Sequence, residues 1–313
     1  MEACDTLLMV GTNFPYTRYL PEKARVVQIE IDPIRVGNRL PVEAPLIGDA
    51  GPTLRALKGH LGRNDDRSFL EQAQRAMADW REQLAALENP HRDPIQPQYL
   101  ARMIDRHAPA DTILSSDSGT IATWAARHFD IRGDRRFMLS GNLASMAPGL
   151  PYTIAAQVAH PGRSCIAFVG DGGFAMLMAE FFTAVRLGLP IKVFVVNNGE
   201  LGQILWEQMV LGFPEYGVRW ERGADFAMWA QACGAMGIRV EKAADVESAV
   251  VHALEHDGPV LVDTVVNPDE PPMPPKVTYE QARGFAEAFM KGQPRRATIA
   301  STLFRDKVDQ LKG

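Results

Sequence analysis

Two short apolar runs, residues 164–169 and 191–197, flank a helix-length stretch at 174–187, and each ends in polar punctuation. Gly170, Asp171, Gly172 and Gly173 follow the first run, Asn197 and Asn198 close the second, and 24 residues lie between Gly172 and Asn197. A continuous apolar run bounded by turn residues reads as a strand buried on both faces. Strand, helix, strand reads as a parallel pair with its crossover. Asp171 and Asn198 then sit at the carboxyl ends of two strands of one sheet, the edge at which open α/β sheets gather ligands.

The flanking sequence extends the pattern. Strand-like runs recur at 112–116 and 260–266, with helical stretches at 98–107 and 121–128, so 98–270 is expected to be a doubly wound parallel sheet covered by helices. Upstream, runs at 6–11, 25–31 and 45–49 and a helix at 52–61 predict a smaller, partial Rossmann-like sheet over residues 1–62. Residues 63–97 are charged and helical and end in Pro90, Pro94 and Pro97, which marks a linker. Residues 271–313 form a further extension, and the proline-rich run 268–275 is expected to run as extended chain over the surface. The fold class is α/β.

Composition narrows the function. Net charge is −5 with no basic run, which argues against nucleic-acid binding. Cys4, Cys165 and Cys233 are widely spaced, without a Cys-x-x-Cys pair or a histidine cluster, so they read as free thiols in a reducing compartment. No apolar run approaches the roughly 20 residues of a membrane span, and residues 1–5 lack a positively charged leader. The cytoplasm is the expected location.

A carboxylate and an amide oxygen are hard donors suited to magnesium, which favours octahedral oxygen coordination and bridges to phosphate. The glycines around Asp171 let backbone N–H groups approach phosphate oxygens, and the helix that follows adds its positive end. A third oxygen is available from the backbone carbonyl of Glu200. Either motif alone is a common turn or strand end; their pairing across a strand–helix–strand unit carries the argument.

This stretch resembles the cofactor-binding signature of the thiamine diphosphate (ThDP) enzymes that include pyruvate oxidase, acetolactate synthase and pyruvate decarboxylase. The resemblance implies that Asp171, Asn198 and the Glu200 carbonyl hold magnesium. It also implies that Gly170, Gly172, Gly173 and a loop with Leu201, Gly202 and Ile204 line the diphosphate. Residues 140–151 resemble the family segment beneath the centre of the cofactor. There Met146 takes the place of the apolar wedge that bends it, the Ala144 carbonyl accepts from its amino group, and Ser145 lies beside them. The alternative for Met146 is a methionine filling a core gap. Ser118, Gly119 and Thr120 resemble the loop near the diphosphate, although such clusters are also generic turns.

The amino-terminal unit resembles the second half of the middle domain of pyruvate oxidases, which implies contacts to FAD from Thr12, Asn13, Phe14, Pro15, Tyr16, Glu30 and Asp49. Related decarboxylases keep that domain without the flavin. Residues 257–266 and 271–285 resemble bacterial pyruvate oxidases, including the quinone-linked type. The resemblance therefore implies an oxidoreductase that decarboxylates a 2-oxo acid, pyruvate first. Gln203, Glu207 and Gln208 are candidates for the substrate side, with Gln203 nearest the chemistry; solvent-exposed helix is the alternative. Carboligation of the acetolactate synthase kind and a non-catalytic cofactor-binding module are the rival readings.

The glutamate that activates the cofactor in this family lies in a pyrimidine domain, and no glutamate here takes its role. The chain is thus expected to be a piece of a longer protein, inactive alone, that needs a homo-oligomer or a separate pyrimidine-domain chain; a natural subunit of a split enzyme is the alternative. An apolar stripe at Ile299, Leu303, Phe304, Val308 and Leu311 is expected either to pack on the body or to contact a membrane surface.

Overall fold

The structure, a computed structural model, describes residues 1–220, 222–273 and 277–312, without the side chains of Leu311 and Lys312. The chain divides into two units, Met1–Asp79 and Trp80–Gly313. In the first, β1 (Thr6–Val10), β2 (Arg25–Glu30) and β3 (Ala44–Ile47) form a parallel sheet in that order. Helix α1 (Ala50–Lys58) follows, capped by Asp49, whose side chain accepts from the Gly51 N–H. Met9, Leu20, Val26 and Ile29 are its buried apolar side chains, whereas Leu8, Ile31, Ile34 and Ile47 are exposed. Three strands give this unit a thin core. Helix α2 (Ser68–Ala85) crosses the division between the units and buries Leu84. The expected helical stretch 63–97 is thus shorter, because Pro90 and Pro94 follow its end.

The second unit runs α3 (Pro97–His107), β4 (Ile113–Ser116), α4 (Thr120–His128), β5 (Arg136–Met138), α5 (Gly149–Ala159), β6 (Cys165–Gly170), α6 (Asp171–Leu177) and α7 (Ala179–Arg186). It continues through β7 (Lys192–Asn197), α8 (Gly202–Val210), α9 (Phe226–Ala232), β8 (Met236–Val240), α10 (Val246–Glu255), β9 (Val260–Val265), α11 (Tyr279–Met290) and α12 (Arg296–Lys312). The six strands are parallel in the order β5-β4-β6-β7-β9-β8.

Alternation along each strand feeds two cores. Ile166, Phe168, Phe194, Val196, Val260 and Val262 face α3, α4 and α10. The intervening Ala167, Val169, Val193, Val195 and Leu261 face α5, α6, α7 and α9. From β4 the chain first adds β5 on one side and then returns to add β6 on the other. The loops after β4 and β6 therefore open onto one crevice, the switch point of the sheet.

The parallel α/β architecture is the expected one, with differences of detail. Edge strands β5 and β8 escape the sequence reading because one has three residues and the other, with Gly237 and Arg239, lacks a continuous apolar run. The helix expected at 174–187 starts at Asp171 and divides at Met178 into α6 and α7. The expected loop 201–204 is instead the first turn of α8, since Gly202 already begins the helix.

The carboxyl-terminal helices pack on the body. Leu205, Trp206 and Met209 of α8 form a core with Val218, Ala288 of α11 and Ile299 of α12. Of the apolar stripe, Ile299 is fully buried, Leu303 and Val308 are half-buried, and Phe304 is exposed; the Leu311 side chain lies outside the described residues. Residues 268–273 carry no helix or strand, as expected, but they do not run over the surface: Asp269 and Glu270 are buried, held by Arg295 and Gln98, and Pro274 and Pro275 lie outside the described residues. Arg92 pins α12 from within the fold, 2.6 Å from Asp306 and 3.3 Å from Asp309, with Glu270 4.0 Å away. Among the described residues no helix is long and apolar enough to cross a membrane. The cysteines are free, and burial pushes the Cys165 thiol up to about 11.

Candidate functional site

Four loops meet at the switch point. The loop after β4 carries Asp117, Ser118 and Gly119. Asp117 is 1% exposed, and its Oδ1 accepts from the Gly149 N–H at 2.7 Å, which joins this loop to the start of α5. Burial pushes the Asp117 carboxyl up to about 6, opposed by the N–H groups of Gly149 and Ala147. A Cβ on Gly173 would run into Asp117 Oδ2, so the third glycine of the run is sterically required by the neighbouring loop.

The second loop precedes α5. The Ser118 N–H donates to the Ser145 carbonyl at 3.2 Å. Met146 lies between Ala144 (φ 49°) and Ala147 (φ 78°), both in the left-handed region that non-glycine residues rarely adopt. Backbone held in such a state signals over-determined surroundings and is concentrated at functional sites. Ala144 and Ser145 are exposed and Met146 is half-buried. A Cβ on Gly172 would lie 3.0 Å from Leu201 Cδ2, 3.3 Å from Met146 Cε and 3.4 Å from Trp220 Cζ2.

The third loop is the turn from β6 into α6. Asp171 is 3% exposed; its Oδ1 accepts from the Gly172 N–H at 2.9 Å, and its Oδ2 from the Gly199 N–H at 2.8 Å and Trp220 Nε1 at 3.0 Å. Burial pushes its carboxyl up to about 6, against the pull of those three donors. Gly199 belongs to the fourth loop, after β7, so the carboxylate already bridges the two motifs.

Within the asparagine pair the labour divides. Asn197 is buried and donates to Asp263 Oδ1 at 2.9 Å and the Ala224 carbonyl at 3.2 Å. Asn198 is half-buried, and its Oδ1 accepts from the Glu200 N–H at 3.2 Å. A Cβ on Gly202 would lie 3.1 Å from Asn198 Nδ2 and 3.4 Å from Thr120 Cγ2, so these three are neighbours. The Glu200 side chain is buried and ion-paired with Arg219, and burial pushes its carboxyl up to about 8.

Asp171, Asn198 and the backbone at Glu200 are the groups that could hold a divalent cation. One carboxylate, one amide and a carbonyl are hard oxygen donors that fit magnesium, and Gly172 leaves a cradle that a side chain would fill. Among the described residues no cluster of three or more His, Cys, Asp or Glu side chains is placed to hold a metal. The trio at Asp171 is of a different kind, with a single carboxylate beside neutral oxygens.

Other expected residues lie apart. On α8, Gln203 donates to Glu207 at 2.9 Å, and both line a cavity of about 630 Å³ walled by Trp206, Met273, Phe285 and Leu303. Gln208 does not join them; it exchanges two hydrogen bonds with the Tyr216 backbone. Ile204 is 45% exposed. In the first unit, residues 12–16, Glu30 and Asp49 sit at the carboxyl ends of β1, β2 and β3. Thr12 Oγ1 accepts from the Phe14 N–H, Asn13 accepts from Arg39, Phe14 meets Tyr16 edge-on, and Tyr16 is exposed. Glu30 Oε1 accepts from the Ile31 and Asp32 N–H groups at its own strand end. Asp117 and Trp220 are site neighbours that the sequence reading does not single out.

Comparison with known proteins shows the family. Residues 117–264 match the model of the thiamine pyrophosphate enzyme C-terminal TPP binding domain, and residues 1–57 match that of the central domain of the same enzymes. YdaP of Bacillus subtilis, described as a thiamine pyrophosphate-containing protein, is 41% identical over 291 residues, covering 93% of this chain and 50% of its own length. The pyruvate oxidase of Lactiplantibacillus plantarum is 30% identical over 91% of this chain and 49% of its own. The acetolactate synthase large subunit of Porphyra purpurea is 31% identical over 97% and 52%. The chain spans about half the length of these curated relatives.

Proposed function

Because the chain belongs to the thiamine diphosphate (thiamine pyrophosphate) enzyme family, with its central and C-terminal cofactor-binding domains, we propose that it supplies the magnesium and diphosphate site of an oxidoreductase that decarboxylates a 2-oxo acid. Pyruvate is the substrate of this reading and FAD the electron acceptor, by likeness to a relative named pyruvate oxidase. The observation that carries it is the convergence of Asp171, Asn198 and the Glu200 backbone beside Gly172 and Met146 at one sheet edge.

When bound, ThDP supplies the electron sink for decarboxylation. Asp171 and Asn198, with the Glu200 carbonyl, would hold the magnesium ion that serves the diphosphate. Gly172 and Gly173, in the first turn of α6, would line the diphosphate, the Gly172 N–H being already given to Asp171 Oδ1. Met146, flanked by the left-handed residues Ala144 and Ala147, would pack against the cofactor. Gln203 and Glu207 border the 630 Å³ cavity and orient the substrate. Residues 12–16, Glu30 and Asp49 receive the flavin nucleotide. A partner, a second copy or a separate chain, contributes the pyrimidine-side glutamate.

A second reading, carboligation, is favoured by the 31% identity to an acetolactate synthase large subunit, beside 30% to the oxidase. The first test is calorimetric titration of ThDP with Mg2+ into the chain, repeated with Asp171→Ala. Magnesium-dependent binding that disappears in the variant is the expected result; equal binding by both removes Asp171 from the site. Pyruvate turnover with a supplied pyrimidine domain then separates the readings, acetate with ferricyanide reduction for the oxidoreductase and acetolactate for the carboligase.

A further inference from the structure

The donors around Asp171 are unevenly shared between its two oxygens. Oδ2 receives Trp220 Nε1 at 3.0 Å and the Gly199 N–H at 2.8 Å, whereas Oδ1 receives the Gly172 N–H at 2.9 Å. A carboxylate oxygen has two lone-pair directions. Both are engaged on Oδ2, and one remains on Oδ1. The two oxygens are therefore unequal toward a cation.

We propose that Trp220 is a positioning residue for the metal: its indole N–H, with the Gly199 N–H, fixes the Asp171 carboxylate by Oδ2 and leaves Oδ1 to the divalent cation. The proposal rests on the magnesium site of the proposed function. An indole N–H only donates, so Trp220 has no ligand role of its own. Outer-shell partners of this kind orient metal-binding carboxylates, and removing one typically weakens metal binding about 10–100-fold.

The backbone holds the indole in place. The Trp220 N–H donates to the Gly199 carbonyl at 3.0 Å and the Leu201 N–H to the Val218 carbonyl at 2.8 Å, with a bridge between Glu200 and Arg219. This short antiparallel ribbon couples Trp220 to the segment that carries Asn198 and Glu200. The ring edge lies 3.4 Å from where a Gly172 Cβ would be, yet the residue is 39% exposed. It is seated against the site without being part of either main core. A rival role, a cover over the glycine cradle that must leave before the cofactor enters, predicts the opposite sign: removing the ring would then tighten binding.

The test uses Mn2+ as the probe, titrated into the full chain with ThDP and read by the electron paramagnetic resonance of free Mn2+ and by quenching of tryptophan fluorescence. Wild type is compared with Trp220→Phe, which keeps a ring and loses the N–H, with Trp220→His, which keeps a ring N–H, and with Asp171→Ala. The expected result is Mn2+ binding weakened about tenfold in Trp220→Phe, partly recovered in Trp220→His and abolished in Asp171→Ala. Most of the quenching should vanish with Trp220. Unchanged or tighter binding in Trp220→Phe overturns the positioning role, as does equal weakening in Trp220→His. If the wild-type chain takes up no Mn2+, the metal site and the role of Trp220 fall together. Binding lost only in Asp171→Ala leaves the site standing and removes Trp220 alone.

Discussion

Gly149 is where three elements of the site touch, and Gly149→Ala measures how tightly. A Cβ there would lie 2.6 Å from Val169 Cγ1, 3.0 Å from Asp117 Oδ1 and 3.2 Å from the Ser116 carbonyl carbon. Ordinary contact begins near 3.4 Å, so β6 and α5 would have to separate by almost 1 Å, yet Val169 and Asp117 are each 1% exposed. Overpacking of a filled core costs about 1–3 kcal/mol. For a unit of this size that corresponds to a fall in Tm of about 2–12 °C. Val169→Ala alone should cost about 2 kcal/mol through the cavity it leaves. In the double variant the new methyl occupies part of that cavity, so the two costs should fall short of additivity by at least about 1 kcal/mol. Thermal unfolding of the four proteins, followed by circular dichroism, decides it. A Gly149→Ala Tm within about 1 °C of the parent, less than the smallest shift expected for overpacking, or strictly additive costs, would refute the packing argument.

Other expectations concern the carboxyl-terminal helices. Burial, with Asp306 beside it, raises the Glu270 carboxyl above its usual 4.5, so the folded chain holds that proton more tightly than the unfolded chain does. The contribution of this carboxyl to stability is then greatest in acid and declines as pH rises above about 4.5 toward neutrality, and Glu270→Gln should remove that part of the slope in urea unfolding measured from about pH 4 to 8. Arg92→Ala leaves the carboxylates of Glu270 and Asp306 without their cation and should cost about 3–5 kcal/mol, seen as faster hydrogen exchange in α12; unchanged exchange would contradict the anchoring role. Gly284→Ala would drive a Cβ into the Val210 carbonyl and part α11 from α8, which should be read as increased exposure of Trp206 in fluorescence quenching.

The sheet was legible because its central strands are apolar on both faces and end in glycine, aspartate or asparagine, residue types with few other reasons to stand there. β5 and β8 were not, since an edge strand of three residues and one containing Gly237 and Arg239 carry no period. Asp117 lay inside a serine–glycine run indistinguishable from a turn, and only its burial against Gly149 and Gly173 separates it. Trp220 reaches Asp171 across 49 positions, a distance that no local pattern spans. The start of α11 carries a legible signal, Thr278 with Gln281 three residues on, which is a capping box; the expected extended chain, residues 268–275, stops short of it.

Helix α8 has two ends of different character. Its first turn, at Gly202, adjoins Asn198 and Thr120, while Leu205, Trp206 and Met209 beyond it are gripped by α11 and α12. A rigid rod held at one end by hydrocarbon and presented at the other to polar loops works as a lever. Loosening the tail is therefore expected to loosen the first turn of α8 beside Asn198 and Thr120. Shortening the chain from its carboxyl end should register first as altered binding at the proposed cofactor site and only later as a loss of fold.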